Sequence, residues 1–337
     1  MGIKNINSLL KAKNQTGIIS KHISDYSGKR IAIDFSNYMY KFVYHIKKNN
    51  LHKYHYIENM YNLVKTFRRY NITPIFVYDG LVPKEKEAEV QRRIEHKEAV
   101  NEKINTLIDS LPINVNVNSI DTSDFVNDEE LLKDTELYQK IDTINKLNNQ
   151  TLYVTEKHKK YCAALFRYLG VPYIYSKKEA DDMMGYLYKN DLIDACLSED
   201  TDMLAHGIGV VLRNYNMFNG TLTEFNLSNI CTDLNLNFNQ FLDMCILCGT
   251  DYHKINGIGP KRAYSIIKKY GSIEESMEYI KEKFINNDEF NYINIRSMFN
   301  GYNSDDTYKT CIGNLEIQEQ RTEKLKQFMK VSCSIDI

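Results

Sequence analysis

Seven acidic residues stand out by position: Asp34 and Asp79 close apolar runs, Glu179 and Asp181 open a helical stretch, Asp200 and Asp202 follow another apolar run, and Asp251 follows an amphipathic one. Taken singly, each has a plain structural reading. Asp79-Gly80 is a common turn pair, Ser176-x-x-Glu179 fits a capping box, Asp181 suits the positive end of a helix dipole, and Asp200 and Asp202 suit a loop. Brought together they become something else, because clustered carboxylates repel one another strongly unless cations neutralise them. An all-oxygen donor set favours hard cations, Mg²⁺ or Mn²⁺, with waters completing the octahedron. Two such ions about 3.5–4 Å apart serve the attacking water and the leaving oxygen of a phosphodiester. The acids therefore point to metal-assisted phosphoryl transfer to water.

For that chemistry the acids must converge although they are far apart in sequence, and the apolar runs supply the means. Arg30-Ile31-Ala32-Ile33-Asp34, Pro74 to Asp79, Val171 to Tyr175 and Asp194 to Asp200 read as buried strands alternating with helices, which predicts an α/β fold with a central parallel sheet covered on both faces. Ligands of such sheets sit beyond the carboxyl ends of the strands, where several of these runs end in an acid. From Lys84 the pattern changes to a charged helix through Asn101 and then an Asn/Asp-rich stretch, about 112–149, with little periodicity, which reads as a mobile excursion. A helix resumes near Tyr153 and runs through Leu169. Phe238, Phe241, Leu242, Cys245 and Ile246 follow the spacing of an amphipathic helix. Beyond Gly271 the sequence is helical and carries no legible chemistry.

The formal charge of −1, from 43 basic and 44 acidic residues, is low for a protein that meets phosphates. The charge is unevenly spread, however: Asp251 to Gly271 holds Lys254, Lys261, Arg262, Lys268 and Lys269 against one acid. Within that segment Gly257-Ile258-Gly259-Pro260-Lys261-Arg262 puts a glycine turn before a helix beginning at Pro260, so exposed N–H groups and the helix dipole form an anion cradle. Lys86 and Arg93, seven residues apart, share one face of the charged helix; by spacing alone that is a solvated face. Tyr40, by itself, reads as a core residue of the helix after Asp34, with Lys47 two turns further on.

The composition, 43% hydrophobic and 26% charged, is that of a globular protein, and no apolar run has the length of a membrane helix. No targeting segment is legible at Met1-Gly2-Ile3-Lys4-Asn5-Ile6. Seven cysteines without a tight framework suit a reducing compartment, and Cys245 and Cys248 read as core residues rather than zinc ligands.

The segments Met1-Gly2-Ile3, Ile33-Asp34-Phe35-Ser36, Val77-Tyr78-Asp79-Gly80, Lys178-Glu179-Ala180-Asp181, Glu199-Asp200-Thr201-Asp202, Gly249-Thr250-Asp251-Tyr252 and Gly257 to Arg262 resemble, in order, the motifs of the flap endonuclease family of structure-specific 5′ nucleases. The resemblance covers residues 1 to about 275, interrupted by the excursion. It implies a PIN-like core with a helical arch and a helix-two-turn-helix element, divided as core 1–83, arch and insertion 84–155, core 156–235, DNA-binding element 236–275 and helical extension 276–337. It implies that Asp34, Asp79, Glu179, Asp181, Asp200, Asp202 and Asp251 hold two Mg²⁺ or Mn²⁺ ions, some through water. Lys86 and Arg93 would approach the scissile phosphate. Gly2, Tyr40, Lys47, Gly249, Gly257, Gly259, Lys261 and Arg262 would meet DNA, Tyr40 by stacking on a base, with a potassium ion at the glycine turn.

Four departures accompany the resemblance. Asp181 replaces a second glutamate, the link from Asp251 to Gly257 is one residue shorter than usual, the excursion is longer than the usual arch, and the C-terminus is short. Leu325-x-x-Phe328-Met329 has Thr322 where a sliding-clamp peptide has glutamine, so clamp binding is not expected. The implied activity is cleavage of branched or nicked double-stranded DNA bearing a 5′ flap, in replication and repair, by a monomer at the site of DNA replication: the nucleus, or the cytoplasm for a viral member. A 5′ to 3′ exonuclease, a DNA-structure-binding module without turnover, and a related RNA-cleaving nuclease remain the alternatives.

Overall fold

Strands β1 (Ile18–His22), β2 (Arg30–Asp34), β3 (Thr73–Tyr78), β4 (Tyr173–Tyr175), β5 (Ala195–Leu197), β6 (Val210–Arg213) and β7 (Thr221–Asn226) form one sheet in the order β1-β7-β6-β5-β2-β3-β4. The computed structural model describes residues 2–13, 15–48, 51–110, 136–148, 150–151, 153–284, 290–300 and 307–335. The five strands from β6 to β4 are parallel, as their fully apolar runs predict. The edge departs from that expectation: β7 returns antiparallel beside β6, and β1 pairs antiparallel with β7. The connection from Asn214 to Gly220 is too short for a parallel crossover, so β7 must reverse direction.

Alternate residues of each strand enter two cores. Ala32, Ile75, Val77, Ile174 and Cys196 face one, with helices Ile6–Lys13, Ala180–Lys189 and Phe238–Cys248 packed over them. Ile31, Ile33, Phe76, Tyr78 and Leu197 face the other, under helices Phe35–Lys48, His55–Arg69 and Glu156–Leu169. Cys245 and Cys248 are buried in the first core. Leu325 and Met329 are buried in the second, so the segment that faintly resembles a clamp peptide is packed structure.

From β2 the chain builds outward in both directions, to β3 and β4 on one side and to β5 and β6 on the other, which places a topological switch between β2 and β5. Asp34 ends β2 and the Ser198 to Asp202 segment follows β5 at that point. The charged helix extends from Glu87 to Asp109, further than its sequence pattern suggested. Part of the excursion is regular as well: Glu136–Asn148 is a helix whose Ile144 packs on Val100 and Ile104. The remainder, 111–135, lies outside the described residues.

Candidate active site

Each acid is brought to the crevice by a different element, and several do local work on arrival. Asp34, the last residue of β2, accepts the Asn37 N–H at 2.9 Å and so caps the helix that follows; it also accepts the Ser198 hydroxyl at 2.9 Å. Asp79, just past β3, accepts the Ser36 hydroxyl and, at 3.0 Å, the N–H of Ala180, the first residue of the Ala180–Lys189 helix. Glu179 is the N-cap of that helix, but its carboxylate makes no cap bond. The capping-box reading is thus corrected: the Ser176 hydroxyl donates to the Glu179 carbonyl at 2.9 Å, leaving the Glu179 side chain for the crevice.

Asp181, Asp200 and Asp202 form the tightest group, each offering an oxygen within 4.8 Å of the other two. Asp200 Oδ1 accepts the Asp202 N–H at 3.0 Å and its own N–H donates to Ser198 Oγ at 3.1 Å, which fixes the turn. Asp202 Oδ1 is buried and has no hydrogen-bond partner among the described residues. A buried carboxylate oxygen without a donor is costly unless a cation meets it. Burial foremost, then Asp79, pushes the Asp34 carboxyl up to about 7. Burial and the charge of Asp200 raise Asp181 and Asp202 well above the carboxylate range. Asp181 is only partly buried and so stays open to water. An all-oxygen set that resists ionisation and leaves an orphaned oxygen fits a hard divalent cation.

Two cations lean on these acids. Lys86 is the N-cap of the Glu87–Asp109 helix, at the end of a 3₁₀ turn, rather than a residue on the helix face. It is buried, 2.8 Å from Glu179, with its ammonium 4.9 Å from the centre of the Tyr252 ring. Burial alone would lower that ammonium, but Tyr252, Glu179 and Asp181 together raise it. Arg93 lies 2.6 Å from Asp251 and 3.1 Å from Glu89. Lys86 is therefore not on a solvated face, whereas Arg93 is part-exposed and held by acids on both sides.

Gly2 adopts φ +89°, and a side chain there would collide with Asp200 Oδ1 and Thr201 Oγ1. Lys4 N–H donates to the Gly249 carbonyl at 3.0 Å, tying this segment to the Asp251 loop. Tyr40 is 38% exposed, which corrects its reading as a core residue, and Lys97 lies 5.7 Å from its ring centre. Lys47 is on the same helix, Phe35–Lys48; its side chain lies outside the described residues. At the glycine turn, Gly259 is the N-cap and Pro260 the first residue of the Pro260–Tyr270 helix, as the sequence predicts. Gly257 has φ +85°; a side chain on Gly259 would meet nothing within 4 Å, so that backbone is open to an outside approach. Lys261 and Arg262 are exposed, and Arg262 donates to the Gly257 carbonyl at 2.6 Å.

The sequence reading assigned no role to Ser36, Ser198, Asp182 or Tyr252. Tyr252 touches both members of the Lys86–Glu179 pair, donating to Glu179 at 3.3 Å with its ring beneath the Lys86 ammonium. Asp182 is buried beside Asp181, and burial followed by the charge of Glu179 raises its carboxyl to about 7. Asp182 and Tyr252 adjoin acids of the motifs and Ser36 lies two residues from Asp34, so nearness in sequence was the available signal.

The XPG N-terminal domain family matches residues 1–100 and the XPG I-region matches residues 170–251. Flap endonuclease 1 of Salmo salar is 31% identical over 291 residues, covering 83% of this chain and 69% of that protein. Flap endonuclease 1 of Enterocytozoon bieneusi is 29% identical over 310 residues, covering 89% and 77%. Among solved structures, the catalytic core of Rad2 in complex with DNA substrate aligns with a TM-score of 0.64 at 17% identity, covering 99% of this chain and 96% of that one. Flap endonuclease-1 from Methanococcus jannaschii aligns with a TM-score of 0.60 at 22% identity, covering 94% and 90%. At these identities the structures speak for a shared fold. The sequence relatives and the two domain matches, which contain the acids at the β2–β5 switch, carry the rest: the chain belongs to the flap endonuclease family of structure-specific 5′ nucleases, hydrolases that act on DNA.

Proposed function

We propose that this nuclease cuts DNA at 5′ flaps and nicks, with Asp34, Asp79, Glu179, Asp181, Asp200, Asp202 and Asp251 holding two Mg²⁺ or Mn²⁺ ions. The observation that carries the reading is the convergence of Asp181, Asp200 and Asp202 around the orphaned Asp202 oxygen, under two cations from one segment. When bound, the ions supply an activated water and stabilise the leaving oxygen.

The chain's own groups do the remainder. Lys86 and Arg93 hold positive charge at the mouth of the acid cluster before substrate arrives, so little reorganisation is needed to receive a scissile phosphate. Gly2 lets the backbone close against Asp200 without a side chain between them. Tyr40 presents a half-exposed ring on which any base can stack, and Lys47 on the same helix would take a backbone phosphate. Gly249, Gly257 and Gly259 would allow close backbone approach, and Lys261 and Arg262 would grip duplex away from the cut. On this reading 1–83 and 156–235 make the catalytic body, 84–155 the arch, 236–275 the duplex anchor and 276–337 a supporting extension.

The test is cleavage of matched 5′-flap, nicked, single-stranded and RNA substrates with Mg²⁺, with Mn²⁺ and with chelator. Metal-dependent cutting of flap and nick is the expected result. A preference for a recessed 5′ end over a flap would favour the exonuclease reading, and cutting of RNA alone or cutting indifferent to chelator would overturn the proposal.

A further inference from the structure

Arg213, the last residue of β6, grips the backbone on which Asp200 stands. Its side chain is only 12% exposed, and the guanidinium carbon lies 5.1 Å from the centre of the Phe225 ring. The fork works in two directions. Nη2 donates to the Glu199 carbonyl at 2.7 Å, and Nη1 donates to Asn7 Oδ1 at 2.9 Å. Nε faces the Glu199 carboxylate at 3.9 Å, and that carboxylate accepts the Asn214 N–H at 3.0 Å. A planar guanidinium engaged on both sides cannot turn without breaking one of these contacts.

The peptide unit between Glu199 and Asp200 is therefore held at both ends. Its carbonyl is taken by Arg213, and its N–H, that of Asp200, donates to Ser198 Oγ at 3.1 Å; Ser198 in turn donates to Asp34 at 2.9 Å. Because the unit is rigid and planar, holding it sets the direction in which the Asp200 side chain leaves the chain. That side chain is the one that closes on Asp181 and Asp202. The other arm of the fork reaches the helix Ile6–Lys13, and the segment leading into that helix brings Gly2 against Asp200.

We propose that Arg213 is a positioning residue for the acid cluster: through the Glu199 carbonyl it aims the Asp200 carboxylate, and through Asn7 it keeps the N-terminal segment in register with that carboxylate. The inference rests on the metal-holding role proposed for Asp200. A purely electrostatic role would carry the opposite sign, since a positive charge that acts on Asp200 opposes the binding of a second cation there.

The test is calorimetric titration of the DNA-free protein with Mn²⁺, each variant measured well below its melting temperature. Arg213→Gln removes the fork and the charge together. It should weaken Mn²⁺ binding about tenfold, the scale of losing a group that orients a metal ligand, whereas loss of the charge alone would tighten it. Asn7→Ala frees one arm of the fork and should weaken binding about threefold, so the inference stays testable if Arg213→Gln does not fold. Arg296→Gln, which removes a guanidinium from its pair with Asp243, controls for lost stability and should bind Mn²⁺ as the parent does. Parental or tighter binding by Arg213→Gln, parental binding by Asn7→Ala, or an equal loss in Arg296→Gln would overturn the inference and leave the metal reading standing. A parent protein that takes up no Mn²⁺ would overturn both.

Discussion

Arg93 and Asp251 form an ion pair with 2.6 Å between Nη2 and Oδ2, joining the charged helix to the loop before the glycine turn. Asp251 raises the guanidinium despite its partial burial. The contact places a fixed positive charge over the acid cluster before any substrate is present. Arg93→Ala should therefore lower single-turnover cleavage about 10²–10³-fold, with a much smaller loss of DNA affinity. The concentration of Mg²⁺ needed for half-maximal rate should not rise, because Asp251 loses a competitor. Rapid-quench kinetics with parallel binding isotherms check this; equal losses in rate and affinity would reduce Arg93 to a phosphate anchor.

Asp200 belongs to the group whose oxygens lie within 4.8 Å of one another, with Asp181 and Asp202, and it also accepts the Asp202 N–H. Asp200→Ala should cost turnover roughly several orders of magnitude while flap binding survives, since the basic and stacking groups remain. Near-parental cleavage by the purified variant at saturating Mg²⁺ would remove Asp200 from the metal set.

The acid cluster also sets how stability depends on pH. Asp34 rises from the ordinary carboxylate range to about 7, and Asp181 and Asp202 are raised as well, by burial first and by neighbouring acids second. A carboxyl raised by folding binds more protons in the native state than in the unfolded chain. Metal-free protein should thus lose stability as pH climbs from about 4 through about 7, the window between ordinary and raised values for Asp34. Divalent ions remove the repulsion, so the gain in Tm on adding Mg²⁺ should grow from pH 5 to pH 8. Calorimetry with chelator and with Mg²⁺ measures it, and a gain that shrinks as pH rises would show that the ions bind elsewhere.

Much of this was legible because strand-forming runs and their terminal acids are local patterns. Ile31 to Asp34 and Ile75 to Tyr78 announce themselves by apolar content, and the order of the motifs carries the resemblance to the family. Partnerships were not legible. Lys86 and Arg93 show only a spacing, and nothing local says that one ends against Glu179 and the other against Asp251, 93 and 158 residues away. Tyr40 failed as a core residue for the same reason, since burial is decided by what packs above a helix. The β1–β7 pairing escaped notice because Ile18-Ile19-Ser20-Lys21-His22 is short and half-exposed, as an edge strand is.

Gly2 offers a test of close approach. At φ +89°, a side chain is strained whatever the space, and here the space is taken by Asp200 and Thr201. Gly2→Ala should push either the segment or Asp200 aside and lower the cleavage rate about tenfold to a hundredfold, the scale of small misplacements at a reacting centre. The same strain should lower the melting temperature by a few degrees, so the rates are compared well below it. Unchanged cleavage kinetics would mean that the Gly2 contact is incidental.

At the glycine turn the two basic residues do different jobs, and their variants should separate. Arg262 donates to the Gly257 carbonyl at 2.6 Å and lies 5.9 Å from the centre of the Phe284 ring, so it braces the turn from within. Lys261 is exposed at the start of the Pro260–Tyr270 helix, where its charge adds to the positive end of the dipole. Lys261→Glu should weaken binding to flap and nicked duplexes and reduce the slope of log affinity against log salt by about 1, one phosphate contact fewer. Arg262→Ala should weaken duplex binding too, with a smaller change in slope for the affinity lost, because the turn loosens around Gly257. Cleavage of a short single strand, which cannot span from the acids to the turn, should change little in either variant. Salt-titrated binding and single-strand cleavage distinguish the outcomes: if both variants lose single-strand and flap cleavage alike, with the parental salt slope, the turn does not anchor duplex and flap selectivity must arise nearer the acids.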